Sequence, residues 1–364
     1  MAIDNNILVN VLRSVKDPES GSDLITMKLI EDLRIKDNNI SFSVNTAGLK
    51  ETDKFQLHEH LQKAINEKFP DARLDVHFVN KAEAKRPLSQ VKNIIAVASG
   101  KGGVGKSTVS VNLALGLKAL GAKVGLIDAD LYGPSLPTMF GIQDVKPKIK
   151  EIYGRHRILP IEKFGIQTIS IGNIVEAEKA VVLRGPRLGG IIKQFVNEVL
   201  WPELDYLVID LPPGTGDIQL TLVQTVPVTA AIIVTTPQPV SVSDAIKAMN
   251  MFRMENINVP IIGVVENMSW FTPDDMPDKK YKIFGEGGGK RLAKASNSVL
   301  LAQLPLITEI REASDSGTPI ILDENNPARS HYMDLSRKAA QQIAVRNEVM
   351  APTRIVGVNI QQSQ

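Results

Sequence analysis

The stretch Gly100-Lys101-Gly102-Gly103-Val104-Gly105-Lys106-Ser107-Thr108 constrains this chain more than any other. It has the form G-x-x-x-x-G-K-[ST], and its flanks supply the context that gives the pattern meaning. Asn93 to Ala98 is a short apolar run bounded by small residues, as a buried strand should be. Ser107 to Leu120 carries Val111, Leu113, Leu115, Leu117 and Leu120 at helical spacing, and Gly121 supplies a stop. Strand, glycine loop and helix together make a phosphate cradle. Glycines let successive backbone N–H groups turn inward around phosphate oxygens, at a helix end whose dipole favours negative charge. Lys106 is placed to reach β- and γ-phosphates, and the Ser107 hydroxyl to complete the coordination of Mg²⁺. The chain is therefore expected to bind a nucleotide.

A length of 364 residues suggests about two domains. Residues 1–80 read as a small α+β domain. Ile7, Leu8, Val11, Leu12 and Val15 share a helical face, and Asp17-Pro18 ends it. Leu29–Ile35 and Ile40–Val44 read as a hairpin, Thr52–Phe69 as an amphipathic helix and Arg73–Val79 as a closing strand. His58 and His60 stand two apart on that helix, so they face different ways and are read as solvated side chains. Lys81–Lys92 is polar, charged and contains Pro87, and reads as a linker.

From residue 93 to 348 strands alternate with helices. The strand candidates are Lys123–Ile127, Ile166–Ile171, Tyr206–Ile209, Thr229–Thr235, Pro260–Val265 and Val299–Leu304. Several are continuous apolar runs, the mark of strands covered on both faces. Helices are expected over Pro186–Leu200, Asp217–Val226, Val242–Asn256 and Ala328–Arg346. The fold class is thus α/β, a doubly wound, mostly parallel sheet whose ligand binds beyond the carboxyl ends of the strands. Residues 349–364 are expected to be a loose tail.

Three carboxylates, Asp128, Asp130 and Asp210, end strands at that rim. A single strand-end aspartate is more often a helix cap. Three beside a phosphate loop point instead to Mg²⁺ and its waters. Asp210 leads into Leu211-Pro212-Pro213-Gly214-Thr215-Gly216-Asp217, a glycine-rich turn able to approach a γ-phosphate and sense its loss. No Asn-Lys-x-Asp guanine motif follows the loop, since Asn80-Lys81-Ala82-Glu83 precedes it, so ATP is favoured over GTP.

Lys101 adds a second lysine at the start of the loop, and this resembles the deviant Walker A of the MinD, ParA and nitrogenase-iron-protein class. Asp128-Ala129-Asp130-Leu131-Tyr132-Gly133-Pro134-Ser135, Leu183-Arg184-Gly185-Pro186 and Asp205 to Asp217 narrow the likeness. With Val265-Glu266-Asn267-Met268-Ser269, Phe284 to Gly289 and Leu304 to Glu312, they resemble the Mrp and ApbC branch, iron–sulfur cluster carriers. The likeness covers residues 93–345. Val15-Lys16-Asp17-Pro18-Glu19 in turn resembles the small MIP18-like domain of iron–sulfur assembly proteins.

The resemblance implies a P-loop ATPase working as a homodimer. Lys101 would reach phosphates held by the opposite subunit. Asp130 would orient the attacking water, Asp128, Asp210 and Ser107 would support Mg²⁺, and Asn267 with the loop around Pro305 would recognise adenine. Partners would be iron–sulfur assembly machinery or apoprotein clients. The family holds a [4Fe–4S] cluster with a Cys-x-x-Cys shortly after Glu-Asn-Met-Ser. Here that place reads Thr272-Pro273-Asp274-Asp275-Met276-Pro277-Asp278-Lys279-Lys280-Tyr281, and the chain contains no cysteine at all.

Without cysteine, disulfides, thiolate zinc sites and cysteine nucleophiles are excluded. A cluster would need ligands from elsewhere, because iron–sulfur clusters are held by thiolates with histidine replacing only some. A nitrogenase-like reductase is excluded for the same reason. A membrane- or DNA-positioning switch would want a basic amphipathic helix or basic patch, and residues 350–364 carry one arginine. A net charge of +2 gives no reason to expect nucleic acid or an anionic membrane as partner. The N-terminus lacks a basic stretch followed by an apolar run, and no apolar run approaches about 20 residues, so a cytoplasmic location is expected. Two functions remain: an ATPase of iron–sulfur cluster carriage, or a nucleotide-gated adaptor that never binds the cluster itself.

Overall fold

The computed structural model describes residues 3–18, 20–36, 38–46, 49–79, 88–130, 133–152, 155–174, 190–191, 194–255, 257–273 and 275–350. The Leu183–Pro186 motif, most of the expected linker, Asp274 and the tail from 351 lie outside them. So does much of the expected 186–200 helix, of which 190–191 and 194–197 are helical.

The chain divides into two units, one holding residues 1–90 with 148–159 and 197–203, the other 91–147, 160–196 and 204–364. In the first, α1 (Asn5–Ser14) starts where the Asp4 carboxylate accepts from the amides of Asn6 and Ile7 at 2.7 and 3.1 Å. That is the ordinary means of satisfying orphan donors at a helix start. β1 (Ile30–Lys36) runs antiparallel to β2 (Asn39–Asn45), and α2 (Glu51–Lys68) returns the chain so that β3 (Arg73–Val79) lies parallel to β2. Leu57, Leu61 and Ile65 recur every four residues on α2 and close a core with Leu8, Leu12, Ile40, Phe42 and Val44.

The second unit begins with β4 (Val91–Ser99), which starts inside the stretch read as linker. It continues through α3 (Lys106–Ala119), β5 (Val124–Asp128) and α4 (Leu136–Met139). The chain then makes the antiparallel hairpin of β6 (Ile149–Ile152) and β7 (Arg155–Ile158), which belongs to the first unit. There Ile158 bridges Val199, and an Arg157 guanidinium nitrogen donates to the Pro18 carbonyl at 3.4 Å. The hairpin's short strands mix Lys, Glu, Arg and His with apolar residues, and so carry no clear period in sequence.

The sheet resumes with β8 (Ile161–Lys163), β9 (Ile166–Ser170) and β10 (Leu204–Asp210). After α5 (Asp217–Thr225) come β11 (Ala230–Thr235), α6 (Pro239–Arg253), β12 (Ile261–Glu266), α7 (Gly288–Ala295), β13 (Val299–Gln303), α8 (Thr308–Asp315) and α9 (Ala328–Val349). The strand order is β13-β12-β11-β4-β10-β5-β9-β8, parallel except for β8. From β4 the chain therefore runs first to one side and then to the other, and such a reversal opens a crevice at the strand ends. β5 and β11 are buried throughout, and α3 packs over β4, β5 and β10 beside α9, which covers β12 and β13. α6 starts three residues before the expected helix, with Pro239 at a first-turn position that needs no N–H. No helix among the described residues is long and apolar enough to cross a membrane.

Candidate nucleotide-binding site

The glycine loop leaves β4 at Ser99, whose hydroxyl donates to the Lys101 carbonyl at 2.9 Å. Gly103 and Gly105 have φ of 78° and 81°, values that a side chain strongly disfavours. A Cβ at Gly105 would also overlap the Asn267 amide, and one at Gly100 would overlap the backbone at Asp244 in α6. Glycine is thus demanded by conformation at one end of the loop and by close packing at both. Gly105 caps α3, and no side chain caps the helix's first amides.

Lys106 is the first residue of α3 and is nearly inaccessible. Its Nζ lies 2.8 Å from Asp210 Oδ1, 3.7 Å from Asp130 Oδ2 and 3.3 Å from the Ser107 hydroxyl. Asp210 Oδ1 also accepts from the Ser110 hydroxyl at 2.7 Å. Asp128 stands opposite Asp210 in the β5–β10 register. Both its oxygens are engaged by protein donors. Oδ1 accepts from the Asp130 amide at 3.1 Å, and Oδ2 from the Leu136 amide at 3.2 Å and the Ser170 hydroxyl at 2.9 Å. Burial, and after it the Asp210 charge, pushes the Asp128 carboxyl up from 3.8 to about 7. The Ser170 hydroxyl, the Asp130 amide and the Lys106 charge oppose that rise.

The turn after β10 is tied to the loop. Leu211 N donates to Val97 O at 3.0 Å and Gly214 N to Ser99 O at 2.9 Å, and Pro213 lies beside Gly102. The Gln219 amide nitrogen donates to the carbonyls of Pro212 and Pro213 at 3.0 and 2.7 Å. Asn267 sits against the loop, its Nδ2 donating to Val104 O at 2.8 Å. The 267–271 segment is laced to the Pro305 loop by Ser269 N to Leu304 O and Leu306 N to Trp270 O, each 2.8 Å. Buried Glu266 fixes this region by accepting from the Ser269 hydroxyl, the Gln303 amide and the Gly289 N–H that opens α7. Lys101 is partly exposed and ion-pairs with no carboxylate among the described residues.

The expected residues Lys106, Ser107, Asp130, Asp210 and Asp128 are therefore neighbours. Asn267 bears on the loop backbone, and Pro305 on the segment beyond it. Ser110, Ser170, Gln219 and Glu266 were not singled out from sequence. Ser110 follows Lys106 by one helical turn, which is a usable signal. Ser170 is set by strand register, which sequence does not display.

Beyond Ser269 the chain closes a small hairpin, Phe271 and Tyr281 exchanging hydrogen bonds of 2.9 and 2.8 Å. The Lys280 ammonium lies 4.6 Å from the Trp270 ring centre, while Met276, Tyr281 and Ile283 are exposed. No group of three or more metal-binding side chains occurs among the described residues.

Known proteins resemble this chain along most of its length. The family described as NUBPL iron-transfer P-loop NTPase matches residues 90–343, and that described as iron–sulfur cluster assembly protein matches 7–68. An iron–sulfur cluster carrier protein of Synechocystis is 41% identical over 90% of this chain and 94% of its own length. One of Deinococcus radiodurans is 40% identical over 96% and 99%. Among solved structures, an Archaeoglobus fulgidus nucleotide-binding protein in complex with ADP is 34% identical. It covers 68% of this chain and 94% of that one, with a TM-score of 0.57.

Proposed function

The chain belongs to the NUBPL iron-transfer P-loop NTPase family, and from that premise we propose that it is a Mg²⁺-dependent ATPase of iron–sulfur cluster carriage and assembly, acting as a homodimer. The observation that carries the reading is Lys106, held 2.8 Å from Asp210 at the mouth of the phosphate loop. A buried ammonium beside strand-end carboxylates is poised to exchange a carboxylate for phosphate oxygens. The donor set fits Mg²⁺. Ser107 and Asp210 offer hard oxygens, and Mg²⁺ in such sites takes one or two protein ligands with substrate phosphates and water. Bound there, the metal would neutralise the β- and γ-oxygens.

The carboxylates divide the work unequally. Asp128, with both oxygens on protein donors, holds Asp130 and Leu136 rather than serving as first choice for the metal. Asp130, 13% exposed and 3.7 Å from Lys106, is the residue left to orient water for in-line attack. The Asn267 amide keeps the loop in shape and marks the side where adenine would lie. Lys101 is assigned the phosphates of the opposite subunit. Lys101→Ala should keep the fold and lose most ATP hydrolysis, and wild-type turnover in that variant would end the cross-subunit assignment.

A second reading rests on one fact: the chain has no cysteine. Its own side chains do not suit a sulfur-bridged iron cluster, which favours a nucleotide-gated adaptor whose clients supply the thiolates. Anaerobic reconstitution with iron, sulfide and a small thiol, with and without ATP, separates the two. Stoichiometric iron surviving gel filtration and transferable to an apoprotein supports carriage. Intact ATP hydrolysis with no retained iron supports the adaptor.

A further inference from the structure

The turn between Asp210 and α5 has a local difficulty. Pro212 and Pro213 have no N–H, so neither can donate a hydrogen bond that would hold the turn closed. The turn's backbone secures one side through Leu211 N and Gly214 N, which donate to the end of β4. The carbonyls of Pro212 and Pro213 take their donor from Gln219, third residue of α5 and 4% exposed. A glutamine there ordinarily reaches back to accept from the N-cap amide. Here it is the amide nitrogen that is used, spanning two successive carbonyls. Pro213 in turn lies beside Gly102 of the phosphate loop.

We infer that Gln219 is a positioning residue for the hydrolytic step, fixing the 212–216 turn against the phosphate loop and tying its position to α5. The inference rests on the ATPase reading. The turn begins at Asp210, the carboxylate paired with Lys106, so a shift of the turn and a shift of the charge cluster share one backbone segment. Gln219 does not approach Lys106 or the loop's N–H groups in the hydrogen bonds it makes. It acts on the transition state through the turn and leaves the cradle intact.

The test compares Gln219→Ala and the isosteric Gln219→Glu with the wild-type chain, measuring steady-state ATP hydrolysis and ADP affinity. Gln219→Ala should lower kcat by about tenfold, the loss expected for one or two hydrogen bonds, while KM and ADP affinity stay within about threefold. An ionised Gln219→Glu side chain would face two carbonyl oxygens, whereas its protonated form restores one donor. Burial against two carbonyl oxygens raises such a carboxyl above its ordinary range, so the variant's kcat relative to wild type should rise as pH falls from about 8 to about 5.5. The same ratio for Gln219→Ala should stay flat. A purely structural residue would lower thermal stability and the active fraction without that pH signature. Wild-type kcat in both variants, parallel losses of kcat and ADP affinity, or a pH-independent ratio for Gln219→Glu would each overturn the inference. Absence of ATP hydrolysis by the wild-type chain would instead overturn the ATPase reading.

Discussion

Two loops at the carboxyl edge of the same sheet treat their charges in opposite ways. Around the phosphate loop, Lys106, Asp128 and Asp210 are withdrawn from solvent and bonded to one another or to the backbone. In the 271–281 hairpin beyond β12, Lys279 and Asp278 are exposed and the closing hydrogen bonds are backbone only. Burying charge is costly unless partners compensate it, so its concentration at the first loop marks where a charged substrate is handled. The hairpin occupies the place where the resemblance puts cluster-binding thiols, yet its structure is secured by an edge-to-edge backbone pair and a lysine over a tryptophan. The chain carries the phosphate loop of its family, and it carries no cysteine that could ligate iron.

The comparison breaks first at Lys106. Lys106→Ala should reduce ATP hydrolysis by at least about a hundredfold, because in the proposed site the lysine supplies the positive charge for the transferred phosphoryl group. It should also destabilise the fold by about 3 kcal/mol, since removing one member of a buried pair leaves Asp210 uncompensated. Lys106→Ala with Asp210→Asn separates these effects. The double variant should regain much of the lost melting temperature and none of the activity. If denaturant titrations show the double variant no more stable than the single one, the cluster is not energetically coupled.

Gly105 sharpens the contrast at the backbone level. Its φ of 81° and the adjacent Asn267 amide together leave no room for a methyl group. Gly105→Ala should cost on the order of 1–3 kcal/mol and weaken ADP binding, because either the loop or Asn267 must shift. Gly285, also at positive φ but with nothing near its missing Cβ, should tolerate alanine with a smaller loss confined to stability. Equal effects at the two glycines would mean that loop packing adds nothing to conformational strain.

Asp128 supplies the pH dependence. Folded, its carboxyl keeps its proton up to about pH 7, whereas its ordinary value is 3.8. Between those values the folded chain holds more protons than the unfolded one, so this group's contribution to stability falls as pH rises. Asp128→Asn removes the titration. Without nucleotide or Mg²⁺, its melting temperature should fall less than the wild type's between about pH 4.5 and pH 7. Asparagine will cost some stability throughout, having one acceptor oxygen where Asp128 uses two. Parallel curves for the two proteins would show that burial does not shift this carboxyl.

How much of this was legible follows from where each signal resides. The phosphate loop, its strand and its helix were readable because glycine conformation, apolar run and helical period are local. The strands of the sheet were readable as apolar runs, and most of their bounds agree within two residues. Their order was not: nothing in Tyr206–Ile209 says that β10 lies between β4 and β5. The same limit hid Ser170, which reaches Asp128 only through the β5–β9 register, and the β6–β7 hairpin, whose charged strands blur any period. Asp128, Asp130 and Asp210 were legible as a group. The donors around each of their oxygens were not, because those are set by the packing of neighbouring elements.

The smallest expected effect tests the other side of the comparison. The Lys280 ammonium over the Trp270 ring is worth about 0.5–1 kcal/mol at an exposed site, and the same ring meets His331 edge-on at 5.8 Å. Lys280→Ala should lower stability by no more than that amount and leave ATP turnover unchanged, since the ring keeps His331 and the Phe271–Tyr281 pair is backbone only. Lys280→Arg should retain the contact, because a guanidinium also stacks on an aromatic face. Burial, set against a weaker opposing effect of the Asp334 charge, lowers the His331 imidazole's pKa, so near neutral pH the ring faces an uncharged partner and Lys280 remains its cationic one. A large loss of ATP turnover in Lys280→Ala would join the hairpin to the catalytic cycle and collapse the distinction between the two loops. A change confined to stability would leave the hairpin as a structural closure.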